Sequence, residues 1–191
     1  MSVSPAAREQ VAGLIAGSVA NEHLRRHMLA TEAVMRGLAE HLGHDPAVWG
    51  LAGLAHDLDA EETAGEPGRH GARAAERLAE LGLPTELVHA VAAHNPETGT
   101  TADDPIDVAL IAADQTTGLI TAATLVRPDR DLTQVKLSSV RKRMREGAFA
   151  RGVDRASIQR CAELGLELDE FLAIALAAMQ GIAPELGLAG E

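Results

Sequence analysis

An apolar run, Leu51-Ala52-Gly53-Leu54-Ala55, ends in the adjacent pair His56-Asp57, with Asp59 two residues further on. Imidazole and carboxylate are both good ligands for first-row divalent cations, and a pair that ends so apolar a segment is placed to be buried. A lone His-Asp pair has little specificity, so its meaning depends on whether other ligands converge on it. Two further groups stand at helical spacing on apolar faces. His27 adjoins Met28 on the edge of a stripe formed by Leu24, Met28, Thr31, Met35, Leu38 and Leu42. Asp114 follows Ala113 and lies four residues after Leu110, in a stripe that also holds Ile106, Thr117 and Thr121. A buried carboxylate has to be paired, protonated or bound to a metal. No Lys or Arg occupies the matching stripes, whereas two His and two Asp around one divalent cation would satisfy all four groups. A nitrogen and oxygen ligand set without thiolate suits Mn²⁺, Fe²⁺, Co²⁺, Ni²⁺ or Mg²⁺, and Zn²⁺ only as an open catalytic site.

The elements that must hold these residues are helices. A capping side chain followed by proline marks helix starts at Ser4-Pro5, Asp45-Pro46 and Asp104-Pro105. Asn21 caps the helix that carries His27, and Gly43 ends it. Residues 58–68 are polar, contain Gly65, Pro67 and Gly68, and read as a loop beside the His-Asp pair. A helix from about Arg69 to Leu81 opens with His70-Gly71. Another begins at Pro84-Thr85 and stops at His94-Asn95-Pro96, and residues 96–104 form a second loop. Residues 133–147 read as a basic helix with Lys136, Arg141, Lys142, Arg143 and Arg145. Asp154 starts a short helix through Ile158, Cys161 and Leu164, and the last helix runs from Leu168 to Ile182. No segment alternates with period two. The expectation is an all-α bundle of roughly nine helices in a single domain over residues 1–191, with its core at about 21–182.

Composition agrees and excludes some functions. The chain has 191 residues and is 46% hydrophobic but only 2% aromatic, with no Tyr, so its core must be Leu, Ala, Val, Ile and Met. A formal net charge of −11 argues against long nucleic acid as a partner. It leaves room for a small anionic substrate, because a bound cation inverts the local field. Cys161 is the single cysteine, which excludes an internal disulfide and fits a reducing compartment. Arg8 and Glu9 interrupt the first twenty residues, so no signal peptide is expected. No run approaches the ~20 apolar residues of a membrane span, and the expected setting is cytoplasmic with no membrane partner.

The order His27, His56-Asp57, His70, His94, Asp114 resembles that of the HD superfamily of metal-dependent phosphohydrolases, which are all-helical. The likeness runs from about Asn21 to Ile182. It includes the stretches His27 to Met35, His56 to Asp59, Ala93 to Asn95, Ala113 to Leu119 and Leu125 to Asp129, which are similar to small bacterial members described as predicted hydrolases. The resemblance implies that His27, His56, Asp57 and Asp114 hold a divalent metal. His70 and His94 match two histidines that hold a second metal, bridged by the equivalent of Asp57, in dinuclear members; in mononuclear members they contact phosphate. The sequence leaves both cases open, and with them one ion or two.

The implied chemistry is hydrolysis of a phosphate ester, with the cation polarising a phosphoryl oxygen and lowering the pKa of a water. His70, His94 or Asp59 would hold or donate the leaving-group proton. Lys136, or an arginine of the basic helix, would neutralise phosphate oxygens if that helix folds over the site. The chain departs from the nucleotidase branch, which has a Glu four residues after the doublet histidine; here that residue is Ala60. A Gly-Tyr-Pro motif is absent, which counts against a cyclic-di-GMP phosphodiesterase. The expected substrate is a small phosphorylated metabolite or nucleotide, although neither 58–68 nor 96–104 offers an aromatic to stack a base. A homodimer is allowed. The competing readings are a non-catalytic metal and nucleotide-binding module and a di-iron oxygenase on a related scaffold. His23, one turn before His27, reads as a neighbour of the site, and His41, His44 and His89 as solvent-facing.

Overall fold

Local capping chemistry sets where the helices begin in the computed structural model of the chain, which describes residues 3–190. Ser4 caps α1 (Pro5–Ser18), Asn21 caps α2 (Glu22–Leu42) and Asp45 caps α3 (Pro46–Ala55), each accepting a backbone N–H of the first turn. Gly43, at φ 76°, closes α2 in the left-handed conformation that glycine tolerates. The chain continues through α4 (Ala72–Glu80), α5 (Thr85–Ala93), α6 (Pro105–Leu125), α7 (Leu137–Arg145), α8 (Arg155–Gln159) and α9 (Leu168–Gly181). The described residues thus form nine α-helices and no strand, with one isolated antiparallel bridge between Asp131 and Ala189.

The two longest helices, α2 and α6, make the frame. α2 packs against α3, α6 and α9, and α6 against α5, α7 and α8 as well. One continuous cluster of buried side chains runs from Val11 to Leu188, built of Leu, Ala, Val, Ile and Met with the single aromatic Phe171 at full burial and Trp49 nearly so. A buried acid on α2, Glu32, is satisfied by Arg8 of α1 through two bonds of 2.6 and 2.7 Å and by Arg36 at 3.0 Å. α6 is long and apolar enough to cross a membrane by length and composition, against the sequence expectation that no segment is. In the fold its apolar surface is taken up by neighbouring helices, and its threonines return their hydroxyls to the helix's own carbonyls, Thr116 to Ala112 and Thr124 to Ile120.

The crossing of α2 and α3 depends on a glycine. A Cβ on Gly53 would stand 2.7 Å from the carbonyl oxygen of Thr31 and 2.9 Å from the nitrogen of Glu32, both backbone atoms that cannot step aside. Gly53→Ala is expected to force the helices apart at a cost of about 1–3 kcal/mol. A lowered thermal midpoint with an unchanged far-UV spectrum would show it.

Three elements differ from the sequence expectation. α4 begins at Ala72 instead of Arg69, because Gly71 takes φ 84° and the Asp59 carboxylate, from outside the helix, accepts the N–H groups of Gly71 and Ala74. The stretch 58–68 is the expected loop of turns, and it buries Leu58, Asp59 and Thr63 while most of its other residues are exposed. The basic helix is shorter than expected, leaving Lys136 as its N-cap residue, and the segment after Asp154 divides into α8 and a 3₁₀ turn over Arg160–Leu164.

Candidate metal centre

Five segments converge on Asp57. His27 comes from the first turns of α2, His56 and Asp57 from the end of α3, His70 from the turn before α4, His94 from the end of α5, and Asp114 from the middle of α6. The Asp57 carboxylate divides them into two groups. Its Oδ2 lies 3.3 Å from His56 Nε2 and 3.6 Å from His27 Nε2. Its Oδ1 lies 3.2 Å from His70 Nε2 and 3.7 Å from His94 Nε2. Asp114 Oδ1 joins the first group, 2.9 Å from His27 Nε2 and 3.8 Å from His56 Nε2. Ligand atoms of His27, His56 and Asp57, and again of Asp57, His70 and His94, lie within 4.8 Å of one another.

Each histidine is held by its other nitrogen. His56 Nδ1 is 2.8 Å from the carbonyl of Gly53, and His94 Nδ1 is 2.6 Å from that of Val91. His70 Nδ1 is 2.9 Å from Asp59 Oδ1. His27 Nδ1 is 3.1 Å from Thr117 Oγ1, whose own proton goes to the Asp114 carbonyl at 2.7 Å. With the four Nδ1 atoms so engaged, the four Nε2 atoms are the ones turned to the centre, where a metal would use their lone pairs. These nitrogens face each other at short range, with His27 and His56 Nε2 3.2 Å apart and His70 and His94 Nε2 also 3.2 Å apart. Such a contact is repulsive unless a proton or a cation lies between. Two imidazoles on one ion at about 2.0–2.1 Å, with an angle near 100°, place their nitrogens about 3.2 Å apart. The donor set and its spacing fit a divalent cation in each group.

The electrostatics agree. Burial alone would lower the His56 imidazole, but the charge and hydrogen bond of Asp57, with Asp114 behind, push it up to about 9. Hydrogen bonds to Asp57 and Asp59 raise His70 to about 10. Burial would raise Asp57, and the facing histidines instead hold it well below the usual carboxylate range. Asp114 is likewise lowered against burial, mainly by the His27 hydrogen bond. The pocket thus stabilises positive charge at the Nε2 positions and negative charge on both carboxylates, the pattern a cation site requires.

Two residues essential to this geometry carry weak sequence signals. Thr117 is visible as a polar residue one turn after Asp114, yet its hydroxyl holds His27 from another helix. Gln115 donates to Asp114 Oδ2 at 2.8 Å and accepts the Asp154 N–H at 2.8 Å, which only the packing of α6 against α8 reveals. Asp59 is fully buried, with His70 Nδ1 and the Gly71 and Ala74 N–H groups on its oxygens, and these bonds lower its pKa against the effect of burial. It works by orienting His70, and a carboxylate so occupied has no proton to deliver. Asp59→Asn puts a donor where an N–H must be accepted, and is expected to weaken metal binding about 10–100-fold. Metal titration by calorimetry checks this.

The remaining candidates lie elsewhere. Lys136 is exposed and has no hydrogen bond or ion pair to the centre, and the charges after it are engaged locally: Arg141 with Asp169 at 2.5 Å, Arg143 with Glu146 at 2.6 Å. The basic helix packs on α6 and α9. His23 is exposed one turn before His27. His41 pairs with Glu170, and His44 stacks on Trp49 at 4.6 Å. His89 is only half solvent-facing, because its Nδ1 lies 3.1 Å from the buried Asp107 that also accepts the N–H groups starting α6.

A family model described as the HD domain matches residues 24–124, just over half of the chain. The chain belongs to the HD superfamily of metal-dependent phosphohydrolases. The matched HD region extends from α2 to the end of α6 and contains all six candidate ligands. No curated protein and no solved structure gives a match. Membership makes a divalent metal the expected occupant of the HD ligand set, and the helical fold is the one the superfamily implies.

Proposed function

We propose that this HD protein hydrolyses a phosphate ester of a small metabolite with divalent metal that two ligand groups, His27, His56, Asp57 and Asp114 on one side and Asp57, His70 and His94 on the other, would hold. The division of ligands between the two oxygens of Asp57 carries this reading, because each oxygen faces its own pair of anchored histidines. A cation bound there supplies a polarised phosphoryl oxygen and a water of lowered pKa. The chain's contribution is placement. His56 is fully buried and His94 nearly so, while His27, Asp114 and His70 keep 24%, 21% and 27% of their side-chain surface. The buried pair fixes the floor of the centre, and the exposed three leave the face that substrate approaches.

The acids of the 58–68 stretch argue against a nucleotidase. Glu61 accepts the N–H groups of Ala20 and Asn21 at 2.9 and 2.7 Å, and Glu62 pairs with Arg73 and Arg77. Neither stands free to replace the glutamate that Ala60 lacks. A small phosphorylated molecule is therefore the proposed partner, without a nucleobase requirement.

The test is metal content by elemental analysis together with inorganic phosphate release from a panel of phosphomonoesters under Mn²⁺, Fe²⁺, Co²⁺, Ni²⁺, Mg²⁺ and Zn²⁺. Two equivalents of metal and metal-dependent phosphate release are expected. Stoichiometric metal with no release from any ester would favour a binding module. The same two ligand groups would also suit a di-iron oxygenase; two irons with oxygen-dependent loss of substrate would establish that reading instead.

A further inference from the structure

The metal centre opens at His27 onto a cavity of about 470 Å³. Both ligand-bearing helices extend into it. On α2, Arg26 and Ala30 flank His27 on the cavity side; on α6, Gly118, Thr121 and Leu125 follow Asp114 at i+4, i+7 and i+11, a single helical stripe. The segment Leu186–Leu188 also lines it, tied down where Leu132 N–H donates to the Leu188 carbonyl at 2.8 Å. Most of this lining is aliphatic, but two guanidinium groups belong to it.

Both are placed by unusual backbone. Arg26 leans over Gly187, whose φ is 67°, and a Cβ there would stand 2.6 Å from Arg26 Nη1. Arg26 also pairs with Glu22 on its exposed side. Arg130 sits at φ 48°, a left-handed conformation uncommon for a residue with a side chain. Its neighbours are acids, yet neither neutralises it. Asp129 takes both nitrogens of Arg127 at 2.8 and 2.6 Å, and Asp131 takes the N–H and hydroxyl of Thr133 at 2.9 and 2.7 Å. Among the described residues no hydrogen bond or ion pair engages the Arg130 side chain. A chain of net charge −11 thus keeps an unneutralised cation on the wall of a cavity that begins at a metal ligand.

Resting on the phosphohydrolase reading above, we propose that this cavity is a second substrate anchor. It takes a phosphomonoester with an aliphatic body whose far end carries another anionic group, a carboxylate or phosphate, bound by Arg26 and Arg130. Thr121 stands seven positions after Asp114, a rise of about 10 Å along α6, so the cavity reaches about that far from the metal centre along the helix.

The probes are 8-phosphonooctanoate, which carries an anion at each end of a chain of about that length, and octylphosphonate, which lacks the second. Calorimetry with the Mn²⁺-loaded protein is expected to show the first binding at least about tenfold more tightly. Two variants test the arginines separately. Arg130→Asn removes the cation while suiting the left-handed backbone, and Gly187→Ala keeps every charge but displaces the Arg26 guanidinium. Each is expected to reduce the preference to about twofold or less, with unchanged far-UV spectra. Equal affinity of the two probes in the wild type, or no binding of either, overturns the proposal, as does a preference that survives both variants. The matching phosphate ester separates this inference from the reading beneath it. Arginine-dependent binding without phosphate release would sink the hydrolase and keep the anchor; phosphate release without a preference for the anionic tail would sink the anchor alone.

Discussion

Asp57→Ala is expected to empty both metal positions and to lower kcat/KM on any phosphate ester the protein hydrolyses by on the order of a thousandfold. The basis is that one carboxylate serves two groups of histidines, so no single remaining pair retains a third close ligand except through Asp114 on one side. Lewis-acid stabilisation of several kcal/mol corresponds to about three powers of ten in rate. The fold should survive. Without Asp57 the burial of His56 is no longer opposed by its largest charge partner, and the imidazole can go neutral instead of unfolding the site. Elemental analysis of wild type and variant side by side, with far-UV spectra, checks both parts. Full metal occupancy and normal turnover in the variant would remove Asp57 from the centre.

The second large effect concerns pH. In the metal-free protein His56 is raised to about 9 and His70 to about 10, so at neutral pH both Nε2 atoms carry protons held by Asp57. A cation needs those lone pairs and must displace the protons, one from each ring. Affinity therefore rises with pH while both rings are protonated in the free protein, by up to about a hundredfold per pH unit below 9 if both sites fill. The rise flattens as pH passes about 9 and then 10, where no proton remains to be displaced. The same raised values stabilise the metal-free fold below the ordinary histidine range, and that stabilisation is lost as pH climbs through the folded-state values. Calorimetric titration with Mn²⁺ in buffers of different ionisation enthalpy measures the protons released. A flat affinity between pH 6.5 and 8.5 with no proton release would contradict the assignment of His56 and His70 to the centre.

What the chain reveals in one dimension is whatever local chemistry decides. Asp45-Pro46, Asn21 and Gly43 mark helix ends because a cap or a left-handed residue acts within one turn, and those boundaries stand in the fold. His27 and Asp114 announce themselves because a polar group on an apolar helical stripe is a contradiction visible at any spacing, and a charged one needs a partner. The all-helical class follows from periodicity and from a composition rich in Leu and Ala and poor in aromatics.

What the tertiary structure decides is every relation between segments. Nothing local distinguishes Asp59 from the acids beside it, yet it is buried, while Glu61 binds the connection between α1 and α2 and Glu62 binds α4. Burial there comes from α4 docking over the turn, and its N–H groups select the carboxylate; the same event moves the start of α4 to Ala72. Lys136 suits phosphate by its charge and its basic run alone, and only the tertiary structure decides that its helix packs on α6 and α9. The arginines lining the cavity beside His27 carry no signal of their own, since Arg26 and Arg130 are 104 positions apart in sequence and line one cavity only in the fold, where the C-terminal segment pairs with residues 131–132. The assignment of His56 and His27 to one oxygen of Asp57, and of His70 and His94 to the other, has no sequence counterpart at all. A carboxylate's two oxygens are equivalent along the chain, and they become different when five packed segments surround them.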